Sequence, residues 1–473
     1  MRKLLLSVRP DETRLAVVED GALVDYCAEL ARREDLVGRV YKGVVRNAVP
    51  AVKGFFVDLG VGRNAFLRSS DWPAERLPTE GASVLVQVVK DSTPTKGPLV
   101  TGKVSLPGRY SVLLTDSTYI GVSKKIRSEE KREMLRRAAR AHCPEGMGLI
   151  VRTAADDAPE EEAVQDIQRL AALWAVIGRR FRVEKGPALL YRGSELAIRA
   201  IRDFLTDDTD AVITDSRDTQ NRLSRLMEEE HLPHPERVRW EAGPIFRTHH
   251  VEEQIDRLFA REVPLLSGGS LVIDYTEALT AVDVNSGSFH RKGISHSEAA
   301  FLVNREAAVE IARQIRMRGI GGMILIDFID MDTKEQKEAV LAVLRRETAK
   351  DRVKTVVVGM TALGLVEMTR KRTAHRLLQN YYETCPACGG TGYILSAASV
   401  VLRVHHALEE EKARGGMPCP LLIECHPDAA DLLETPEEMW YLKNMMLRPV
   451  RVARRPEFRR EAFAILADPG GMQ

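Results

Sequence analysis

The sequence predicts a multi-domain α/β protein with a small β-barrel inserted near its N-terminal end. Three observations carry this reading. The chain has 473 residues, 44% hydrophobic and 29% charged, which is enough to bury several separate cores. Residues 36 to about 103 form short Val- and Gly-rich segments with no helical period. From about 260, strand-like and helix-like segments alternate.

Residues 1 to about 35 alternate as strands do (KLLLSV, RLAVVEDGALVDY), with Asp20-Gly21 as a hairpin turn between two of them. LVGRVYKGVVRNAV, GFFVDLGVGRNAFL, ASVLVQVVKD and PLVTGKVSL follow, short strands with Gly turns that indicate the barrel. The spacing predicts helices over 127–141 and 159–182. The second opens at Pro159 and places Val164, Ile167, Leu170, Trp174, Ile177 and Phe181 along one stripe. Between them GMGLIVRTAADD reads as a strand leaving into a turn. GGSLVIDYTEALTAVDVNS reads as two strands joined at Thr276 to Ala278, followed by a helix closed by Gly319 and the strand GGMILIDFID. A helix with a capping box at Thr333 and Gln336 and the strand VKTVVVGMT complete an open α/β sheet with right-handed crossovers.

Lys and Arg number 69 against 68 Asp and Glu, which excludes a uniformly cationic nucleic-acid coat but leaves room for local patches. Basic runs do occur at 124–140, 313–318, 370–376 and 448–460, where a solvated helix face is the plainer account of each. No stretch approaches a membrane span, and the three leucines after Arg2-Lys3 are too short a core for a secretory signal, so a cytoplasmic protein is expected. Six cysteines, Cys27, Cys143, Cys419 and Cys425 apart and Cys385 near Cys388, do not suggest a disulfide framework.

Period two puts Leu279, Ala281, Asp283 and Asn285 on one strand face and Thr280, Val282 and Val284 on the other. Asp327 interrupts an otherwise apolar strand, where an unpaired ionised carboxylate is costly or forced neutral, so a partner is expected. If the two strands are neighbours, both carboxylates meet at the sheet's end, where open α/β sheets build their sites, and a divalent cation relieves their repulsion. Oxygen donors favour Mg²⁺ or Mn²⁺ over zinc, and such an ion polarises a phosphodiester and activates water. A turn-capping Asp283 and a salt-bridged Asp327 are the competing account. Asp330, just before a helix, is better explained by capping.

CPACGGTGY (385–393) has C-x-x-C spacing followed by glycines whose N–H groups can face the thiolates. Cys385 and Cys388 supply half of a tetrahedral zinc set, and no second C-x-x-C exists in the chain to complete it. A second copy of the chain would supply the other half; a redox pair and two idle thiols are the alternatives. In the barrel, Phe56 and Phe66 suit either base stacking or the core, and Lys90 and Lys96 suit phosphates. Arg152 and Thr153 stand at a strand's exit, where a guanidinium and a hydroxyl can hold a terminal phosphate or simply form an exposed loop.

Taken together, AVDVNSGSF, GGMILIDFIDM, LVEMTRKR, CPACGGTG and the barrel YKGVVRNAVPAVKGFFVDLGVGRNAFL closely resemble the ribonuclease E/ribonuclease G family of bacterial endoribonucleases, in the same order from residue 1 to roughly 450. The resemblance implies Asp283 and Asp327 as metal-binding catalytic carboxylates, with Asn285 orienting the scissile group. It makes Cys385 and Cys388 a half-site for structural Zn²⁺ shared between subunits of a dimer or tetramer. It implies ribonuclease-H-like parts at 1–35 and 198–258, an OB-fold RNA-binding domain at 36–103 with Phe56, Phe66 and Lys96 on RNA, and a 5′-sensor region at 104–197. A deoxyribonuclease-I-like catalytic subdomain at 259–381, a zinc knuckle at 382–395 and a small C-terminal domain at 396–473 complete the expected layout. Arg152 and Thr153 match a pocket that senses a 5′ monophosphate, but the family's further basic residue there falls on Lys354 where an arginine is expected. The chain stops soon after the small C-terminal segment, with no Arg- and Pro-rich scaffold, so the scaffold-free form of the family is expected. The implied function is Mg²⁺-dependent cleavage of single-stranded RNA in RNA processing and decay. A noncatalytic RNA-binding or ribosome-assembly factor on the same fold is the rival.

Overall fold

The computed structural model describes residues 1–31, 36–74, 76–92, 96–229, 232, 234–287, 295–372, 377–415 and 420–468. Cys419, and residues 373–376 of the basic run RKRTAHR, lie outside them.

β1 (Arg2–Val8), β2 (Glu12–Glu19) and β3 (Ala22–Leu30) form a meander. Asp20 and Gly21, both at positive φ, make the two-residue turn between β2 and β3, the conformation whose twist suits a tight hairpin. Along β1, Leu4 and Leu6 enter one core and Leu5 another, so the sheet is covered on both faces and its sequence reads as a continuous apolar run.

β4 (Val40–Val49), β5 (Gly54–Asp58), β6 (Ala65–Arg68), β7 (Ser83–Lys90) and β8 (Leu99–Thr101) follow. β4 pairs with both β5 and β7, and β6 and β8 complete the ring, so these strands close into a five-stranded barrel of OB-like kind. β9 (Ser105–Pro107), β10 (Ser111–Leu114), β11 (Ile120–Val122) and β12 (Gly148–Val151) form a sheet of order β11-β12-β10-β9. The helices Glu129–His142 and Glu160–Val183 pack on it through Leu135, Ile167 and Leu170. β13 (Ala188–Tyr191) returns to the barrel and pairs with β4.

β14 (Thr209–Thr214) and β15 (Val238–Trp240) then complete the first sheet, in the order β15-β14-β1-β2-β3. β14 lies parallel to β1, with Leu5 opposite Ile213. The sheet is thus assembled from two flanks with the barrel and the β9–β12 sheet with its helices inserted between them.

β16 (Glu262–Pro264), β17 (Ser270–Tyr275), β18 (Leu279–Asn285), β19 (Gly322–Asp327), β20 (Thr355–Met360) and β21 (Val366–Arg370) form a sheet of order β16-β17-β18-β19-β21-β20. The expected open sheet is present, but only β18 and β19 pair in parallel, joined by the helix His296–Met317. β21 inserts antiparallel between β19 and β20, a strand that the apolar pattern alone did not separate. Val303, Ile311, Val340 and Leu344 of the helices His296–Met317 and Lys334–Thr348 cover one face, against Val282, Val284, Ile324 and Ile326. Thr333 and Gln336 form the expected capping box of the second helix.

The described part of 382–473 is a separate compact unit. In it β22 (Leu421–Cys425), β23 (Val450–Arg454) and β24 (Phe463–Ala467), in the order β23-β22-β24, pack with the helices Ala397–Ala413, Pro427–Leu433 and Pro436–Met446 around Ile423 and Val404. Among the described residues no helix is long and apolar enough to cross a membrane.

Candidate active site

β18 and β19 run in parallel with Asp283 directly opposite Asp327. The alternation places both on the uncovered face, with Val282, Val284 and Ile326 beneath them in the core. Both carboxylates are exposed, which corrects the expectation of a buried Asp327: Met323 and Leu325, apolar but on the outer face, made the strand look sealed on both sides. Asp327 has no ion pair with a described residue. Asn285 shares the face and donates from Nδ2 to Asp283 Oδ2 at 2.9 Å, leaving its second N–H free to turn outward.

Two supports fix this end of the sheet. Gly287, at φ 55°, lies so close to the preceding turn that a Cβ would stand 2.2 Å from Gly268 O, so the glycine of NSG is needed for the approach itself. Ser288, the next residue, lies outside the described residues. Fully buried Asn304 donates to Ile329 O at 2.7 Å and accepts from Ile329 N at 3.0 Å, pinning the segment after Asp327. A buried Asn in an otherwise apolar helix stripe is the signal that could have found it.

No group of three or more His, Cys, Asp and Glu side chains suited to one ion occurs among the described residues. Two carboxylates with an amide beside them suit a hard ion that keeps waters and shares substrate oxygens, as Mg²⁺ does.

In the barrel, Phe55, opposite Leu67, is in the core, while Phe56 and Phe66 are paired with each other across β5 and β6 on the outside. Their ring centroids are 5.7 Å apart and Phe56 is 36% exposed. Gly54 lets Phe66 lie over β5, since a Cβ there would meet the ring at 2.4 Å. Lys96 is exposed between β7 and β8.

Arg152 follows β12 and donates from Nη1 to Gly108 O at 2.6 Å and to Asp203 Oδ1 at 3.0 Å. Its Nε and Nη2 donate to no described residue. Buried Asp166 accepts the N–H groups of Arg109, Tyr110 and Ser111, and a Cβ on Gly108 would stand 2.5 Å from its carboxylate. Thr153 Oγ1 lies 2.9 Å from Ser123 Oγ. Burial pushes the Asp203 carboxyl up, but Arg202 and Arg152 outweigh it and hold the group below its ordinary value. Lys354 is exposed; Arg352, two residues earlier, is the side chain engaged here. It donates to Asp203 O at 2.9 Å and Asp25 Oδ2 at 2.5 Å and stacks on Phe204 at 3.3 Å. Asp203 and Arg352 were missed because no local pattern brings them together.

In the separate C-terminal unit, Gly389 N donates to Cys385 O at 2.8 Å and Thr391 N to Cys388 O at 3.0 Å, folding CPACGGTG into a tight knuckle. N–H groups of Gly392 and Gly390 hold the Cys388 thiol below its ordinary value, the direction a metal-binding thiolate needs. By contrast burial pushes Cys27 up to about 12 and Cys425 up to about 11.

Most of the basic runs are consumed inside the chain. Arg132 and Arg136 pair with Glu129 and Glu133 of their own helix, Arg316 donates to Val24 O, and Arg454 and Arg455 pair with Asp431 and Glu424.

A sheet that presents two facing carboxylates, carried in one chain with a closed barrel that turns aromatic rings outward, defines a multi-domain α/β protein with an inserted OB-like barrel. A profile of the Ribonuclease E/G family matches residues 105–373. Ribonuclease G of Escherichia coli (strain K12) is 36% identical over 496 residues, covering 98% of this chain and 99% of that protein. Ribonuclease G of Haemophilus influenzae is 35% identical over 439 residues, covering 87% of this chain and 89% of that protein. Ribonuclease E of Nostoc sp. (strain PCC 7120) is 37% identical over 383 residues, covering 76% of this chain and 54% of that protein. The chain belongs to the ribonuclease E/G family, endoribonucleases of RNA processing and decay.

Proposed function

We propose that the protein cuts single-stranded RNA at the uncovered face of β18 and β19, leaving a 3′ hydroxyl and a 5′ phosphate. The observation that carries this reading is the single rung on which Asp283 and Asp327 face each other, with neither in an ion pair with a described residue. The two carboxylates hold Mg²⁺ or Mn²⁺, which when bound supplies an activated water and stabilises charge on the phosphodiester. Asn285, held by Asp283, turns its free N–H toward the scissile phosphate. Phe56 and Phe66 stack bases of the strand and Lys96 meets its phosphates. The open edge of Arg152, with Thr153 beside it, takes a 5′ monophosphate, so that such ends are cut faster. Cys385 and Cys388 form half of a zinc site completed by a second copy of the chain.

The deciding experiment is Asp327→Asn. Cleavage of an unstructured oligoribonucleotide is expected to fall by a factor on the order of 10³ or more, as loss of several kcal/mol of transition-state stabilisation requires, while RNA binding persists. Equal cleavage by variant and parent would overturn this site, and a parent that binds the RNA without cutting it would leave the protein a noncatalytic RNA-binding or ribosome-assembly factor.

A further inference from the structure

At the β15 edge of the first sheet lies a concave site of ≈ 640 Å³, lined by Arg217, Gln220, Asn221, Glu236, Arg239 and Trp240, with buried Val238 in its wall. That volume lies within the range of small-molecule sites. β3 forms the opposite edge of this sheet, and there Arg313 and Arg316 of the helix His296–Met317 donate to Leu23 O and Val24 O. The carboxylate-bearing sheet therefore attaches at one edge and the concave site sits at the other, four strand spacings or roughly 19 Å across.

We propose that this site is an anchor for one unpaired nucleotide of an RNA strand, separate from the carboxylate face. Trp240 is 37% exposed, and the guanidinium of Arg217 stacks on its ring at 4.0 Å. A base adds to such a stack on the open side, because aromatic and guanidinium planes both take a π-face. The side chains of Arg217, Arg239, Gln220 and Asn221 have no hydrogen bond or ion pair with any described residue. In a chain whose other basic runs are largely neutralised internally, the guanidinium of Arg217 on an indole and that of Arg239 in the same lining, neither paired with a described residue, are a distinct feature. They suit a phosphate, and the two amides present donors and acceptors to a base edge. Glu236, 3.1 Å from His234 Nδ1, adds an acceptor for a ribose hydroxyl or an exocyclic amine. A simple anion needs neither indole nor amides and is opposed by Glu236; a nucleotide uses every group.

This inference rests on the reading of the protein as one that acts on RNA, but not on the roles given to Asp283, Asp327 or Arg152. The test uses the full-length protein with no added Mg²⁺ or Mn²⁺ and fluorescent unstructured RNAs of about 10 and about 30 nucleotides, the shorter close to one barrel's site size. A gel run afterwards checks that each RNA is intact. Trp240→Ala combined with Arg239→Gln is expected to weaken binding of the longer RNA roughly tenfold, within the range of losing one stacked base, and to leave the shorter one unchanged. Trp240→Phe, which keeps a ring, should restore most of the affinity. In cleavage assays the double variant should raise KM for the longer RNA and leave kcat alone.

Unchanged binding of the longer RNA overturns the anchor while the RNA reading stands, and so does equal weakening of both lengths. A parent protein that binds neither RNA overturns both. Titration with a nucleoside monophosphate separates the sources: saturable binding lost in the double variant, with RNA binding unaltered, would make the site one for a free nucleotide and overturn the RNA anchor.

Discussion

At one end of β19, Asp327 faces solvent across from Asp283 and forms no ion pair with a described residue. Near the other end, Arg370 of β21 is opposite Gly322 and reaches Asp351 through Nε at 2.7 Å and Nη2 at 3.3 Å, while its Nη1 donates to Ile320 O. These two side chains are 3% and 7% exposed. A carboxylate the sheet needs for its own integrity is given a bidentate arginine and shut away from water. A carboxylate pair left open and repelling is kept at a cost in stability, and that cost is the physical argument for something bound from outside.

The sharpest test of the contrast reads stability beside activity. In Asp327→Asn the loss of cleavage described above should come with a melting temperature equal to or above that of the parent, because relief of like charges on facing strands is worth about 0.2–1 kcal/mol. Unfolding of that variant at lower denaturant would mean that Asp327 is structural after all. Arg370→Ala should do the reverse and lower stability by about 3–5 kcal/mol in urea unfolding, since it strands a buried Asp351. The knuckle extends the comparison, as its two thiols have no further ligand among the described residues. The double change of Cys385 and Cys388 to Ser should abolish zinc bound at one ion per two chains and yield monomers by light scattering. A whole zinc per chain in the parent would contradict the shared site.

A loss smaller than that at Arg370 is expected at Asp203, intermediate in exposure as in role. Its carboxyl is held below the ordinary value in the folded chain, so its contribution is full above the unfolded pKa of about 3.9 and is lost as pH falls through the folded value. Asp203→Asn should therefore cost about 1–3 kcal/mol near neutral pH, the worth of a hydrogen bond to a charged partner, with the deficit shrinking toward zero in acid. A deficit independent of pH would assign the loss to packing.

Period-two alternation was enough to place Asp283 and Asn285 on one face, because Val282 and Val284 between them are unambiguous core residues. It could not tell Phe55 from Phe56, where two equal rings are adjacent and only barrel closure decides which turns inward. It misjudged Asp327 for a related reason, since outer-face Met323 and Leu325 are as apolar as the core residues they alternate with. Asn304, Asp203 and Arg352 act through partners 25 to 327 positions away, and local sequence carries no trace of such meetings.

The split first sheet has a consequence for the chain as it leaves the ribosome. β1 emerges before its parallel neighbour β14, which lies about 200 residues later, some 10–40 s of synthesis at ~5–20 residues per second. The barrel between them closes on itself and can fold as soon as it is made, hiding its strand edges. The meander cannot: throughout that interval β1 keeps one side unpaired, with Leu4, Leu5 and Leu6 uncovered. Residues 2–8 are thus exposed to off-pathway pairing during translation, and a binding chaperone or a slow codon stretch would act there before β14 exists.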